Sequence, residues 1–586
     1  MTIDLGFAWM TLPDNEHVAI VDVPGHEDFI ENMLAGVSGL DAFLLVIAAD
    51  EGVMPQTREH LAILRFMGLR RGVVALTKTD LAERNDWLSL VEADVRRVLA
   101  TYTIADAPLV RVSVKHGQGL ADVRQALARV LASQPPPRTH GPPVLPIDRV
   151  FTIHGFGTVV TGTLSQGRLQ VGAVVELQPQ GLQTRIRGLQ IHNQPVDTAD
   201  AGSRVAANLV GIDKQSIGRG SILSEPGVIQ PTTRLDASYH HLPDAVSPLK
   251  HGAEVKLFVG PAEGQARVRL LSAKALHPNE NGFVQLHLKT PLPIRTADRF
   301  VIRLPSPPRT IGGGVILDSQ PPRRWQARDD RVIWRFETLA SDDPARKLAL
   351  HIQEQPWPQP ITHFDDQALL ATAIRLWGVR QQHAMVFHPV GLARIVQRMT
   401  KKLTRFHAEH PLSVGMPRAQ FLQHLGAPDH EQAIMRIVLA SGPFDSVGPV
   451  VRLRRHRVAL SKRQQGQIDA LVQTLQQQPF TPPSYQQMVQ QLGDEDLLQT
   501  VIIWGDLVLV PPRLVLLPAT YHALVGYART TLEAGEILTV AAMRDHFGSS
   551  RRIILPVLDF LSQQGITRRV DAGHTLHQPN WERVQL

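Results

Sequence analysis

The stretch Val18-Ala19-Ile20-Val21-Asp22-Val23-Pro24-Gly25-His26 decides how the chain is read. An apolar run of this kind suits a buried strand, and the residues closing it suit a strand end that meets a phosphate. A carboxylate at Asp22 can reach a magnesium ion through water. Gly25 leaves its backbone N–H free to approach a terminal phosphate, because no side chain blocks it. His26 is placed to position or polarise an attacking water. An Asp-x-x-Gly run alone is weak evidence, since ordinary strand-to-helix turns also carry it.

Working outward, Ala42 to Ile47, Gly72 to Thr77 and Leu109 to Ser113 are further apolar runs. Each suits a buried, mainly parallel strand, and Thr57 to Met67 and Trp87 to Leu99 between them have helical spacing. Residues 1–134 therefore read as a βα domain with both sheet faces covered. Thr77-Lys78-Thr79-Asp80 stands at another strand end. The Asp80 carboxylate can accept two hydrogen bonds from a guanine ring, which selects guanine over adenine, and the Lys78 stem can cover the base plane. At Ser113-Val114-Lys115, backbone and short side chains can contact the guanine carbonyl. The order of these elements, at successive strand ends, carries more weight than any one of them.

At 586 residues the chain is too long for one core and should divide into several domains. It has 61 Lys and Arg against 54 Asp and Glu, a net charge of +7, so a basic surface must be argued region by region. No window offers about 18 consecutive apolar residues, which speaks against a membrane span. The opening Met1-Thr2-Ile3-Asp4-Leu5 has no signal-like n-region. The absence of cysteine excludes disulfides, thiolate chemistry and Cys-ligated metals, and fits a reducing, cytoplasmic location.

Pro135-Pro136-Pro137 forms a stiff linker, after which short β-rich runs alternate with Gly, Pro and Asn turns as far as Pro322. Two β-barrels, over 138–226 and 230–320, fit this stretch better than one sandwich. Beyond Pro322 four helix-plus-hairpin units recur, at 326–390, 391–460, 464–520 and 523–584. Winged helices have this form, and the spacing suggests tandem modules. The Gln-rich run Arg463 to Gln478 keeps a stripe of Ile468, Leu471, Val472 and Leu475, which favours a helix over low complexity. In the last unit Thr539 can cap a helix, and Gly548-Ser549-Ser550 can turn and cap before the next. Arg551, Arg552, Arg568 and Arg569 form two basic pairs that could grip an RNA phosphate backbone.

The first region resembles the G domain of translational GTPases. Asp22 to Gly25 is similar to switch II, Thr77 to Asp80 to the base-recognition motif, with Thr77 where Asn is usual, and Thr2 to the magnesium-binding threonine of switch I. The run Asp22 to Phe29 resembles factors that carry aminoacyl-tRNA, which implies that His26 orients the hydrolytic water. Ile147 to Thr163 resembles the start of domain 2 of these factors. The C-terminal unit resembles the module that binds the selenocysteine insertion hairpin, so the chain is similar to the bacterial selenocysteine-specific translation elongation factors. The resemblance implies a multidomain fold: an α/β P-loop-type G domain, two barrels and tandem winged helices. It also implies GTP and Mg2+ as ligands. Selenocysteinyl-tRNA, an mRNA hairpin and the ribosome would be partners of a monomeric protein. A selenol arrives as an anion, and Asp148, Arg187, His192 and Arg204 are candidates for its pocket.

The family's Gly-rich loop ending in Gly-Lys-Thr has no counterpart before Thr2, and no later Gly-x4-Gly-Lys-Ser/Thr run occurs. A wrongly started reading frame is the preferred explanation. A chain starting at Met1 is expected to fold poorly in its first domain, with a gap in the sheet, and to bind GTP weakly or not at all. Two alternatives compete: an RNA-binding or ribosome-associated regulator without GTPase activity, and a general aminoacyl-tRNA carrier. The long C-terminal extension argues against the latter.

Overall fold

A computed structural model describes residues 4–13, 17–37, 39–81, 85–104, 106–134, 136, 139–154, 157–322, 324–427 and 429–584. The chain divides into two compact units, Met1–Asp342 and Asp343–Leu586. Thr2 lies outside the described residues.

The first unit opens with an antiparallel hairpin, β1 (Gly6–Thr11) and β2 (His17–Asp22). Helix α1 (Ile30–Val37) follows, and the chain then alternates β3 (Phe43–Ala48), α2 (Pro55–Met67), β4 (Gly72–Thr77), α3 (Asn85–Thr101), β5 (Leu109–Arg111) and α4 (Leu120–Ala132). Strands β3, β4 and β5 form a parallel sheet in that order. The expectation of a buried, mainly parallel strand at Val18–Asp22 is corrected: among the described residues β2 pairs only with the antiparallel β1, and it is largely exposed. The central β4 is covered on both faces. In β3, Phe43, Leu45 and Ile47 are buried, whereas Leu44 is 45% and Val46 59% exposed. That alternation is what a strand covered on one face shows. Among the described residues β3 has no partner on its side away from β4.

From Val144 to Ser224 an eight-stranded antiparallel sheet curls around one core, including Leu145, Val160, Val175, Leu189 and Val205. Val144, in the first strand, donates to the Gln166 carbonyl at 3.0 Å and accepts from the Ser165 N–H at 2.9 Å, just beyond the strand Gly157–Thr163, which closes the rolled sheet into the expected barrel. The second barrel closes through six strands, from Thr232–His241 to Pro308–Asp318. Helix α5 (Asp330–Ala340) packs Val332 and Phe336 against Leu271, Leu317 and Trp325. Arg335 reaches the fully buried Asp236 of the barrel at 3.2 Å. The stretch 326–390, read as one winged helix, is thus split: its first helix belongs to the barrel because a buried ion pair and an aromatic cluster hold it there.

The second unit contains repeated helix-and-hairpin modules. The first comprises α6 (Pro344–Glu354) and α7 (Gln367–Leu376) with a three-stranded sheet ending at Phe387. The second has α8 (Pro389–Glu409), α9 (Arg418–Leu425), α10 (Glu431–Ser441) and the hairpin Phe444–Val447 with Val450–Leu453. The third has α11 (Lys462–Gln477), α12 (Tyr485–Leu492), α13 (Glu495–Trp504) and a hairpin over 508–516. The Gln-rich run is helical, as its stripe indicates: Ile468, Leu471 and Leu475 are buried, and Ser461 forms a capping box with Gln464. The last module has α14 (Pro518–Glu533), α15 (Val540–Phe547), α16 (Arg551–Gln563) and the wing Thr567–Val570 with Gly573–Leu576. No helix among the described residues is long and apolar enough to cross a membrane.

In the second module the rings of His407 and His456 stack at 3.7 Å. Burial, the neighbouring His456 and Arg452 push His407 down to about 4. The unfolded chain takes up this proton near pH ~6.5 while the folded module resists it, so acid favours unfolding. We expect stability to be full above that pH and to fall as pH drops toward 4. Replacing His407 with Phe should flatten the dependence, read from hydrogen exchange of α8 and α10 amides between pH 7 and 4. An unchanged dependence would remove His407 as its source.

Candidate nucleotide and RNA sites

Asp22 ends β2, opposite Gly6 in the hairpin, where a Cβ would stand 3.1 Å from the Asp22 Cβ. Gly25 is exposed. His26 caps the short turn Glu27–Phe29, its Nδ1 accepting from the Asp28 N–H at 3.3 Å. A neutral ring whose Nδ1 accepts carries its proton on Nε2, so His26 can present a donor there. Among the described residues no group of three or more His, Asp or Glu is gathered for a metal.

Two neighbours of this region escaped the sequence reading, and both lie on α2. His60 packs beside Gly25: a Cβ at residue 25 would stand 3.9 Å from its Cε1. Burial lowers the His60 pKa. The adjacent Glu59 accepts from Thr310 Oγ1 of the barrel at 2.7 Å and lies 3.5 Å from Arg303. The signal available was only the amphipathic spacing of α2, which gives a face and not its target. Similarly, α1 carries Glu31, which meets Lys256 of the barrel at 2.7 Å. Its neighbour Asn32 accepts from Arg219 of the rolled sheet at 2.7 Å.

Of the residues read as a base site, Asp80 and Ser113 are brought into contact. Ser113 is fully buried and donates from Oγ to Asp80 Oδ1 at 2.7 Å, which orients the exposed carboxylate. That hydrogen bond, with lesser help from His116 and Lys115, holds the Asp80 pKa below the usual carboxylate value. Lys78 takes a left-handed backbone (φ 55°), and its Nζ lies 3.1 Å from Asp50 and 3.6 Å from Glu51, which fixes its stem. Thr77 donates to the Ile47 carbonyl at 3.3 Å, so its hydroxyl tethers β4 to β3. Val114 is exposed beside Ser113 and Lys115. A carboxylate oriented by a hydroxyl and kept ionised fits the N–H edge of guanine.

Of the four candidates for the selenol pocket, the structure joins two. Asp148, 8% exposed, receives a bidentate pair from Arg204 at 2.6 and 3.0 Å and a hydrogen bond from Thr161 at 2.9 Å. The Arg204 guanidinium also stacks 3.7 Å over the ring of Phe7 in β1. Arg187 is exposed at a bulge of the strand Leu182–Ile191, and His192 lies in the left-handed turn that ends it.

In the last module Thr539 caps α15, accepting from the Ala542 N–H at 3.0 Å. Ser550 precedes α16 without a side-chain cap, and Ser549 donates instead to the Phe480 carbonyl at 2.6 Å. Arg551 is exposed, whereas Arg552 donates to the Pro482 carbonyl at 2.7 Å. Arg568 and Arg569 are neighbours on one strand and so point to opposite faces of the wing. The two basic pairs therefore do not make one four-arginine patch.

The nucleotide-site geometry sits in a region where residues 1–133 match the elongation factor Tu GTP binding domain, and residues 157–224 match elongation factor Tu domain 2. The chain is thus a translation elongation factor of the GTP-binding class. Residues 236–323 match the beta-barrel domain of selenocysteine-specific elongation factor, and 531–576 match the winged helix of elongation factor SelB. The selenocysteine-specific elongation factor of Desulfomicrobium baculatum is 32% identical over 97% of this chain and 93% of its own length. That of Escherichia coli (strain K12) is 29% identical over 98% and 93%. The chain belongs to the family of selenocysteine-specific elongation factors. A crystal structure of bacterial selenocysteine-specific elongation factor EF-Sec shares its fold, with a TM-score of 0.69 at 22% identity, covering 98% of this chain and 93% of that one.

Proposed function

We propose that this protein, in a GTP-bound form, delivers selenocysteinyl-tRNA to the ribosome at UGA codons marked by an mRNA hairpin, and that it hydrolyses GTP there. The observation that carries this reading is the pairing, on one chain, of the Asp80–Ser113 base site with winged modules ending in exposed arginines. In this reading Asp80 accepts from the guanine edge, the Lys78 stem covers the base, and Ser113, Val114 and Lys115 border its carbonyl. The Gly25 amide faces the terminal phosphate, and His26 holds water through its Nε2–H. Asp22, with Thr2, would support Mg2+. When bound, the ion supplies charge neutralisation at the phosphates. Arg551, Arg568 and Arg569 contact the hairpin, which raises the local concentration of cargo at its codon. Arg187 and His192, with Arg204 held in its pair with Asp148, would favour an anionic selenol. The protein would act as a monomer in the cytoplasm.

Two assays test this. With a fluorescent GTP analogue and magnesium, GTP should displace the probe and equal ATP should not. Displacement by both, or no saturable binding, sinks the nucleotide part. Selenocysteinyl-tRNA should be protected from ester hydrolysis while seryl-tRNA is not; equal protection removes the selenocysteine assignment.

A further inference from the structure

The chain's positive charge is concentrated in one place. Residues 389–457, the second winged module, carry 11 Lys and Arg against 4 Asp and Glu, an excess equal to the +7 of the whole chain. Much of it lies on α8. This 21-residue helix buries Leu392, Ile395, Met399 and Leu403 in the module core. Another face presents Arg394, Gln397, Arg398, Lys401, Lys402 and Arg405, which line a shallow groove of about 420 Å³. At about 1.5 Å per residue the row from Arg394 to Arg405 spans roughly 16 Å.

Its charges are held differently. Arg398 is fixed, 4.6 Å over the Trp357 ring and donating to the Leu425 carbonyl at 3.2 Å. Arg405 pairs with Glu409 at 2.8 Å. Arg394, Lys401 and Lys402 are exposed and make no ion pair with described residues, so their charge is open to a partner.

We infer that α8 is a second RNA-binding surface, which grips the phosphate backbone of double-helical RNA independently of the C-terminal arginines. A straight row of cations on a rigid helix matches a regular line of phosphates. The groove contains no aromatic side chain on which the bases of a single strand could stack. It also lacks the apolar anchors that would seat a helix in a lipid interface, since the apolar stripe of α8 is spent on the core. With one amide among five cations, the contact is with backbone and carries little sequence information.

The test uses the full chain and a fluorescein-labelled RNA duplex of about 20 base pairs and mixed sequence, followed by anisotropy at several salt concentrations. The triple variant Arg394→Gln/Lys401→Gln/Lys402→Gln should bind about ten-fold or more weakly at ~0.1 M salt, with a log–log salt slope shallower by about two to three. The variant Arg394→Lys/Lys401→Arg/Lys402→Arg should retain binding, which separates lost charge from lost folding. Unlabelled ribosomal RNA and an extended message stem serve as competitors, and displacement by either supports the inference and identifies the source. The inference is overturned by an unchanged affinity and slope in the triple variant, by tighter binding of a single strand of equal length, by displacement with neither competitor, or by transfer of the binding to anionic vesicles. GTP-over-ATP selectivity is measured on the same variant: its retention while duplex binding falls separates this surface from the function proposed above.

Discussion

Asparagine in place of Asp80 should lower guanine-nucleotide affinity about 100-fold and improve that for xanthine nucleotides. In the proposed site the carboxylate would accept from two N–H groups of the guanine edge, whereas a carboxamide accepts with one atom and donates with the other. Losing one charge-assisted hydrogen bond and opposing two donors costs about 3 kcal/mol or more. Xanthine presents a carbonyl where guanine has its amino group, so the new donor finds an acceptor. The Ser113 hydroxyl can still donate to the remaining oxygen as it does at 2.7 Å now, which keeps the loop in place. Competition titrations with GTP and xanthosine triphosphate on both proteins give the answer. Unchanged preference would show that Asp80 does not read the base.

The second large effect concerns stability. Asp236 is fully buried, accepting from Gln285 at 2.9 Å, Trp325 at 2.6 Å and Arg335 at 3.2 Å. Arg335 also reaches Asp318 at 2.6 Å. Replacing Arg335 with Ala removes the guanidinium bonded to this buried carboxylate, a change worth about 3–5 kcal/mol. Replacing both partners, as Asp236→Leu with Arg335→Met, should cost much less, because the fully buried carboxylate is gone and Asp318, which loses the same guanidinium, is partly exposed to water. Hydrogen exchange of the α5 amides reports the local opening free energy. A loss below about 1 kcal/mol in the single variant would mean that α5 is held by Val332 and Phe336 alone.

The parts legible in the sequence were those written locally. Asp80 and Ser113 lie 33 residues apart, yet each ends a strand of one parallel sheet, so the spacing of apolar runs sufficed to bring them together. The Gln-rich helix was legible for the same reason, through its stripe and its Ser461 cap. What failed depended on distant partners. The run ending at Asp22 has the composition of a buried strand, but pairing and burial are set by neighbours, and its one neighbour is an exposed hairpin strand. Arg204 read as a candidate for the selenol pocket, while the fold commits it to Asp148 and the Phe7 ring. Helix α5 read as the start of a winged helix because periodicity gives no address for an apolar face. The cation row of α8 was written in plain view, yet only the packing of Leu392 and Met399 shows which side stays outside.

Helix α1 begins five residues after Gly25, and two consecutive residues on it hold different domains: Glu31 the closed barrel through Lys256, Asn32 the rolled sheet through Arg219. A shift of this helix cannot be felt by one domain alone, so under the proposed function nucleotide state and cargo grip would form a single linked equilibrium. Linkage is reciprocal: whatever factor GTP contributes to holding tRNA, tRNA must return to holding GTP. Cutting both tethers, Glu31→Ala with Asn32→Ala, would weaken that exchange, leaving it to the contacts that remain, among them Glu59 with Thr310 and Arg204 over Phe7.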